Sequence, residues 1–185
     1  MIDDVLLDAE DRMIKTIDAL KRELSGIRTG RAAPGLIERL EVDYYGTATP
    51  LNQISGISAP EARLLVVQPW DRGAVGAIEK AIRSSDLGLN PTNDGQLIRI
   101  AIPALTEERR KSLVKVVRNK VEESRIALRN IRRDGVSQIK ELLKEKEIGE
   151  DDEHRGAQQI QDLTDHYIGE ADKIGKQKED EVLEV

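Results

Sequence analysis

The sequence predicts an α+β protein: a long antiparallel three-helix bundle carrying a small inserted α/β domain whose sheet is mixed or barrel-like. Three observations lead there. Aliphatic residues recur at seven-residue spacing in residues 1–29 and 107–185, as expected of helices that face helices. Residues 30–106 instead carry short runs rich in β-branched residues, bounded by turn formers. Of the 185 residues 35% are charged, while one Trp, three Tyr and no Phe supply the aromatic bulk. That composition suits narrow Leu/Ile/Val seams better than one broad core.

Residues 1–29 read as the first helix. Leu6, Met13, Leu20 and Ile27 are seven apart, Ile17 and Leu24 precede the last two by three, and Val5, Leu7 and Ile14 widen the stripe. Gly30 can stop this helix, and Ala33-Pro34-Gly35 cannot easily continue it. Three strand candidates follow: Ile37 to Tyr45, Arg63 to Val67 and Leu97 to Ile102, ending at Gly46, Gln68-Pro69 and Pro103. Asp71 can cap a short helix carrying Val75, Ile78 and Ile82, and Asn93-Asp94-Gly95 is a turn. Tyr44-Tyr45-Gly46 and Trp70 read as core and turn residues. Helical spacing returns at Thr106, with Val114, Val121, Leu128 and Leu142 on one seam, Val117 and Ile131 beside it and Gly135 in the gap. This second helix runs to about Lys146. Gly149 then precedes an acidic helix start, and Ala157, Ile160, Leu163, Tyr167, Ala171 and Ile174 mark the third helix. Two crossings, Thr29-Gly30-Arg31 and Ala104-Leu105-Thr106, join the insert to the bundle. A two-strand connection of this kind favours hinge motion about one axis.

Much chemistry is excluded. With no Cys there is no disulfide scaffold, thiol catalysis or thiolate metal site. His154 and His166 lie 12 residues apart, about 120° round a helix, and cannot share a metal on one face. The Asp151-Asp152-Glu153-His154 cluster reads as a dipole-favourable helix start rather than a metal site. Gly30 to Gly35 holds no phosphate loop, and no catalytic constellation is present, so neither an enzyme nor a cofactor is expected. The start of the chain lacks the basic and apolar segments of a signal peptide, and no run of 18 apolar residues exists. A soluble cytoplasmic monomer without a membrane partner is expected.

The formal net charge of −6 hides a separation. Residues 107–133 hold 10 basic and 4 acidic residues, whereas 134–185 hold 7 and 16. Lys111, Lys115, Arg118, Glu122, Arg125, Arg129 and Arg132 follow alternating steps of four and three, so they share one stripe roughly 100° wide. Arg110 and Arg133 flank it. Arginine forks suit bidentate phosphate contacts, and the scarcity of aromatic rings favours shape and backbone recognition of a structured RNA over single-strand stacking. The same row could instead be a solvated face salt-bridged to the acidic third helix. A further alternative is a helical adaptor that binds another protein through that acidic helix.

Several motifs then carry a resemblance. They are Ile27-Arg28-Thr29-Gly30-Arg31-Ala32, Val42-Asp43-Tyr44-Tyr45-Gly46, Pro50-Leu51, Val67-Gln68-Pro69-Trp70-Asp71, Ile78-Glu79-Lys80-Ala81-Ile82, and Leu87-Gly88-Leu89-Asn90-Pro91 with Asp94-Gly95. In the second bundle helix they are Leu105-Thr106-Glu107-Glu108-Arg109-Arg110 and Arg129-Asn130-Ile131-Arg132-Arg133-Asp134. In this collinear combination the chain resembles ribosome recycling factors over nearly its whole length. The resemblance implies an L-shaped, transfer-RNA-like outline with a hinged α/β domain. It also implies entry into the ribosome after termination and, with elongation factor G and GTP hydrolysis by that factor, splitting of the post-termination complex into subunits. The bundle is expected to sit on large-subunit ribosomal RNA near the peptidyl-transferase region and an inter-subunit bridge. Arg110, Arg129, Arg132 and Arg133 match the family's RNA-contacting positions. The expected RNA-binding set is therefore Arg110, Lys111, Lys115, Arg118, Arg125, Arg129, Arg132 and Arg133, with a hinge at Thr29, Gly30, Arg31, Ala104, Leu105 and Thr106.

Overall fold

The computed structural model describes residues 1–27 and 29–184. Arg28, assigned from sequence to the first helix and to the first family motif, and Val185, the end of the expected bundle segment, lie outside the described residues. The chain divides into two compact units: Thr29–Thr106, and the segments on either side of it. Among the described residues no helix is long and apolar enough to cross a membrane.

The flanking segments form three long helices, α1 (Ile2–Ser25), α3 (Glu107–Lys144) and α4 (Glu150–Leu183). Their directions follow from their cross-contacts. Arg12 meets Asp134 at 2.9 Å and Lys120 meets Glu23 at 3.6 Å, so α1 and α3 run antiparallel. Arg118 meets Glu179 at 3.0 Å and Arg125 meets Asp172, so α3 and α4 are antiparallel as well. The core joins Met13, Ile17, Leu20 and Leu24 of α1 to Val117, Val121, Leu128, Ile131 and Ile139 of α3, and to Ile160, Tyr167 and Ala171 of α4. Tyr167 donates its hydroxyl to Glu10 Oε1 at 2.9 Å; burial first, and that bond second, push its pKa up to about 12.

The seams depart from the heptad reading in specific places. Leu7 and Ile14 are 66% and 42% exposed instead of widening the α1 stripe. They lie about 100° round the helix from Leu6 and Met13, and with only two neighbouring helices the buried face stops short of them. α1 also ends at Ser25 rather than near Gly30. Ser25 Oγ donates to the Arg22 carbonyl, and Ile27 N–H reaches back to Leu24 O in a tightened last turn at Gly26. On α3 the seam continues from Gly135 to Ile139, leaving Leu142 half-buried. A Cβ on Gly135 would stand 2.9 Å from Ile160 Cδ1, so the missing side chain lets α4 approach closely there. The α3–α4 turn is closed by Lys146 at φ +61°. Lys146 N–H bonds Leu143 O and Glu147 N–H bonds Leu142 O, capping the orphan carbonyls of α3. Four acids, Glu150 to Glu153, then occupy the first turn of α4, favourable to its dipole.

Within Thr29–Thr106, β1 (Glu41–Tyr44) pairs with β2 (Thr47–Pro50), and β3 (Ser55–Glu61), β4 (Leu64–Pro69), β5 (Pro91–Asn93) and β6 (Ile98–Ala101) form a sheet of order β3-β4-β6-β5. All pairings are antiparallel, where a mixed or barrel-like sheet was expected. Leu65, Val67, Ile98 and Ile100 alternate onto one face, which α2 (Val75–Ser84) covers with Val75, Ile78 and Ile82. Asp71 does not cap α2 itself, whose N-cap is Ala74; it caps the 3-10 turn Arg72–Ala74 that leads into α2, accepting from Gly73 N–H at 2.8 Å. It also anchors the β1–β2 hairpin through the hydroxyls of Tyr45 (2.8 Å) and Tyr44 (3.2 Å). Those bonds, led by the one from Tyr45, hold the Asp71 carboxyl below its ordinary range. The hairpin turns on Tyr45 and Gly46, both at positive φ, the geometry of a two-residue I′ turn. Tyr45, 76% exposed, is a turn residue, in keeping with the reading of this stretch as core and turn, whereas Trp70, 70% exposed, takes no part in the core.

Candidate nucleic-acid interface

The row predicted on the second bundle helix lies on the side of α3 that meets α4, and its members fall into two groups. In the middle, cations are neutralised. Arg118 Nε donates to Glu179 Oε1 at 3.0 Å, with a second contact from Nη2 to Oε2 at 3.5 Å. Arg125 Nε donates to Asp172 Oδ1 at 2.7 Å and its Nη1 to Glu122 Oε2 at 3.0 Å; these carboxylates, Glu122 foremost, push its pKa above the usual guanidinium value. Arg129 reaches the other oxygen of Glu122 at 3.6 Å. An open groove of about 460 Å³ follows these pairs, lined by Arg118, Glu122, Arg125, Asp172, Lys176 and Glu179.

At the two ends the cations lack such partners. Among the described residues Arg110 and Lys115 meet no carboxylate, and Lys111 pairs only with exposed Glu107 one turn away, at 3.2 Å. Arg132 donates to the amide oxygen of Gln161 at 3.3 Å, and Arg133 to that of Asn130 at 3.4 Å. The salt-bridged reading thus holds for the middle of the row only, which lies between two cationic ends. From Arg118 to Arg129 the middle covers about 17 Å of helix.

The acids that divide the row were not singled out from sequence. Asp165, Asp172 and Glu179 are seven apart, as are Arg118, Arg125 and Arg132. On antiparallel helices the two series face each other, a signal available to anyone who compared them. Gly175 was missed too. A Cβ there would run into the Val121 side chain, so glycine brings α4 close enough to α3 for the short acids to reach the arginines. Of the expected hinge residues, Gly30 has φ +76°, and a Cβ on it would lie 3.0 Å from Leu105 Cγ, so the two crossings touch at that point.

The model of the ribosome recycling factor family matches residues 20–183. The ribosome-recycling factor of Thermomicrobium roseum is 66% identical over the full length of both chains, and that of Carboxydothermus hydrogenoformans 57% identical, likewise over the full length of both. Among solved structures, the solution structure of a ribosome recycling factor aligns with TM-score 0.72 at 43% identity, covering 100% of this chain and 98% of that one. Another gives models for the T. thermophilus ribosome recycling factor and the E. coli elongation factor G bound to the E. coli post-termination complex. It aligns with TM-score 0.63 at 49% identity over 99% of both chains. Two units with these elements, a divided arginine row on α3 and likeness along the entire chain lead to one conclusion: the chain belongs to the ribosome recycling factor family.

Proposed function

We propose that the protein is a cytoplasmic translation factor that releases and splits post-termination ribosomal complexes into subunits, together with elongation factor G and GTP hydrolysis by that factor. Full-length likeness to ribosome recycling factors carries this reading, and the relative bound beside elongation factor G on a post-termination complex supports the partners. In this role the bundle is the RNA-binding domain. Its cationic ends, Arg110, Lys111 and Lys115 at one and Arg132 and Arg133 at the other, contact phosphates of large-subunit ribosomal RNA, and Arg129, held to Glu122 only at 3.6 Å, contributes beside the second end. Arg118 and Arg125 contribute less, because a phosphate there must displace a carboxylate that stays close by and repels it. Thr29, Gly30 and Arg31 with Ala104, Leu105 and Thr106 serve as the hinge on which the Thr29–Thr106 domain turns when the GTPase acts. The chain works by binding and displacement and not as an enzyme. The adaptor alternative is weakened because Asp172 and Glu179, acids of α4, are taken by arginines of the same chain.

The test is a polysome-breakdown assay with elongation factor G and GTP. Wild type should convert polysomes to subunits and monosomes, and Arg132→Ala should do so only at higher concentration. Equal activity of the two proteins would remove Arg132 from the mechanism; no breakdown by wild type would overturn the function.

A further inference from the structure

The facing series on α3 and α4 form a ladder whose third rung differs from the first two. Arg118 and Arg125 close on Glu179 and Asp172. Seven residues further along each helix, Arg132 and Asp165 occupy the next rung, but no ion pair closes it. Gln161 stands between them. Its Nε2 donates to Asp165 Oδ1 at 2.8 Å, and its Oε1 accepts from Arg132 Nη1 at 3.3 Å. No other amide orientation satisfies both neighbours, because a guanidinium only donates and a carboxylate only accepts.

We propose that Gln161 is a positioning residue for RNA binding: by engaging Asp165 it keeps the third rung open, and it presents Arg132 half-buried, oriented and with its charge uncompensated. The proposal rests on the reading above that Arg132 contacts ribosomal RNA. The physical basis is competition for one guanidinium. On the first two rungs a phosphate competes with an anion fixed on α4. On the third it competes only with a neutral amide oxygen, a weaker acceptor that adds no repulsion when displaced.

Binding to purified large ribosomal subunits, measured by filter retention or sedimentation between about 50 and 200 mM salt, tests this. Gln161→Ala releases Asp165 to close on Arg132. Affinity should fall about two- to fivefold, the scale of an exposed ion pair, and the slope of log affinity against log salt should flatten by about one. Adding Asp165→Asn to Gln161→Ala should restore wild-type affinity and slope, whereas adding Asp162→Asn, the same charge change at the acid that pairs with Gln158, should not. The positioning role is overturned if Gln161→Ala binds like wild type, if Asp165→Asn fails to rescue, or if Asp162→Asn rescues equally. Arg132→Ala in the same assay keeps the two levels apart. Undiminished binding of that variant overturns the RNA reading itself, while its loss beside an unaffected Gln161→Ala overturns only the role of Gln161.

Discussion

In the bundle, three helices share an aliphatic seam, and the arginine contacts that cross between helices lie at its rim: Arg12 with Asp134, Arg118 with Glu179, Arg125 with Asp172. In the Thr29–Thr106 unit the order is reversed. A dry face of Leu65, Val67, Ile98 and Ile100 lies under one short helix, and single aspartates tie the loops: Asp71 gathers a hairpin and a helix start, and Asp94 gathers a turn. The bundle can therefore carry a long row of charge without disturbing its core. The smaller unit spends its polar side chains on holding its own loops. This contrast explains why a candidate RNA-binding face is found on α3 while the inserted unit offers no comparable row.

The largest expected effects test whether the two cores are separate. Leu128→Ala in the bundle and Ile100→Ala in the sheet, both fully buried, should each destabilise by about 2–5 kcal/mol. Hydrogen exchange should show each loss within its own unit; protection lost equally in both units would break the comparison.

Next comes the cationic end of the row. Arg132→Ala should weaken large-subunit binding by about 1–3 kcal/mol, the scale of one hydrogen bond to a charged group, with the unfolding midpoint unchanged. Gly30→Val forces a β-branched residue to positive φ against Leu105, at a cost of about 1–3 kcal/mol. On the hinge proposal it should slow splitting by elongation factor G more than it weakens binding, and equal losses in a parallel splitting and binding assay would count against the hinge.

A smaller effect belongs to Asp94. Backbone N–H groups of Leu97 and Gln96, then Arg99, lower its pKa to about 2 from an ordinary value near 3.8. A depressed carboxylate favours the fold above the unfolded-state value, and that contribution disappears as pH falls through about 2. Acid unfolding of wild type should thus show a component between about pH 4 and 2 that Asp94→Asn lacks, with NMR titration of Asp94 as the direct check.

The same contrast governs how much was legible beforehand. Helices tens of residues long repeat their signal many times, so the three bundle helices and the acidic start of α4 could be read from spacing. What spacing could not show was where the seam shifts at Gly135, since that depends on the facing Ile160. In the inserted unit β2, β3 and β5 were missed. Each is short or carries Pro, Gly and Ser, and is ordered by its partner strand more than by its own residues. Tyr45 at positive φ was equally hidden: what favours it is a bond to Asp71, 26 residues away. The arginine row was visible in full, but its division was not, because Glu179, Asp172 and Gln161 come from another helix.

That division is the central claim, and one pair of variants tests it most directly. Arg118→Ala/Glu179→Ala removes a closed rung without changing net charge; Arg132→Ala removes an open one. In salt-dependent binding to large ribosomal subunits, the double variant should stay within about 0.5 kcal/mol of wild type. Arg132→Ala should lose about 1–3 kcal/mol and flatten the salt slope by about one. Equal losses from the two proteins would contradict the account.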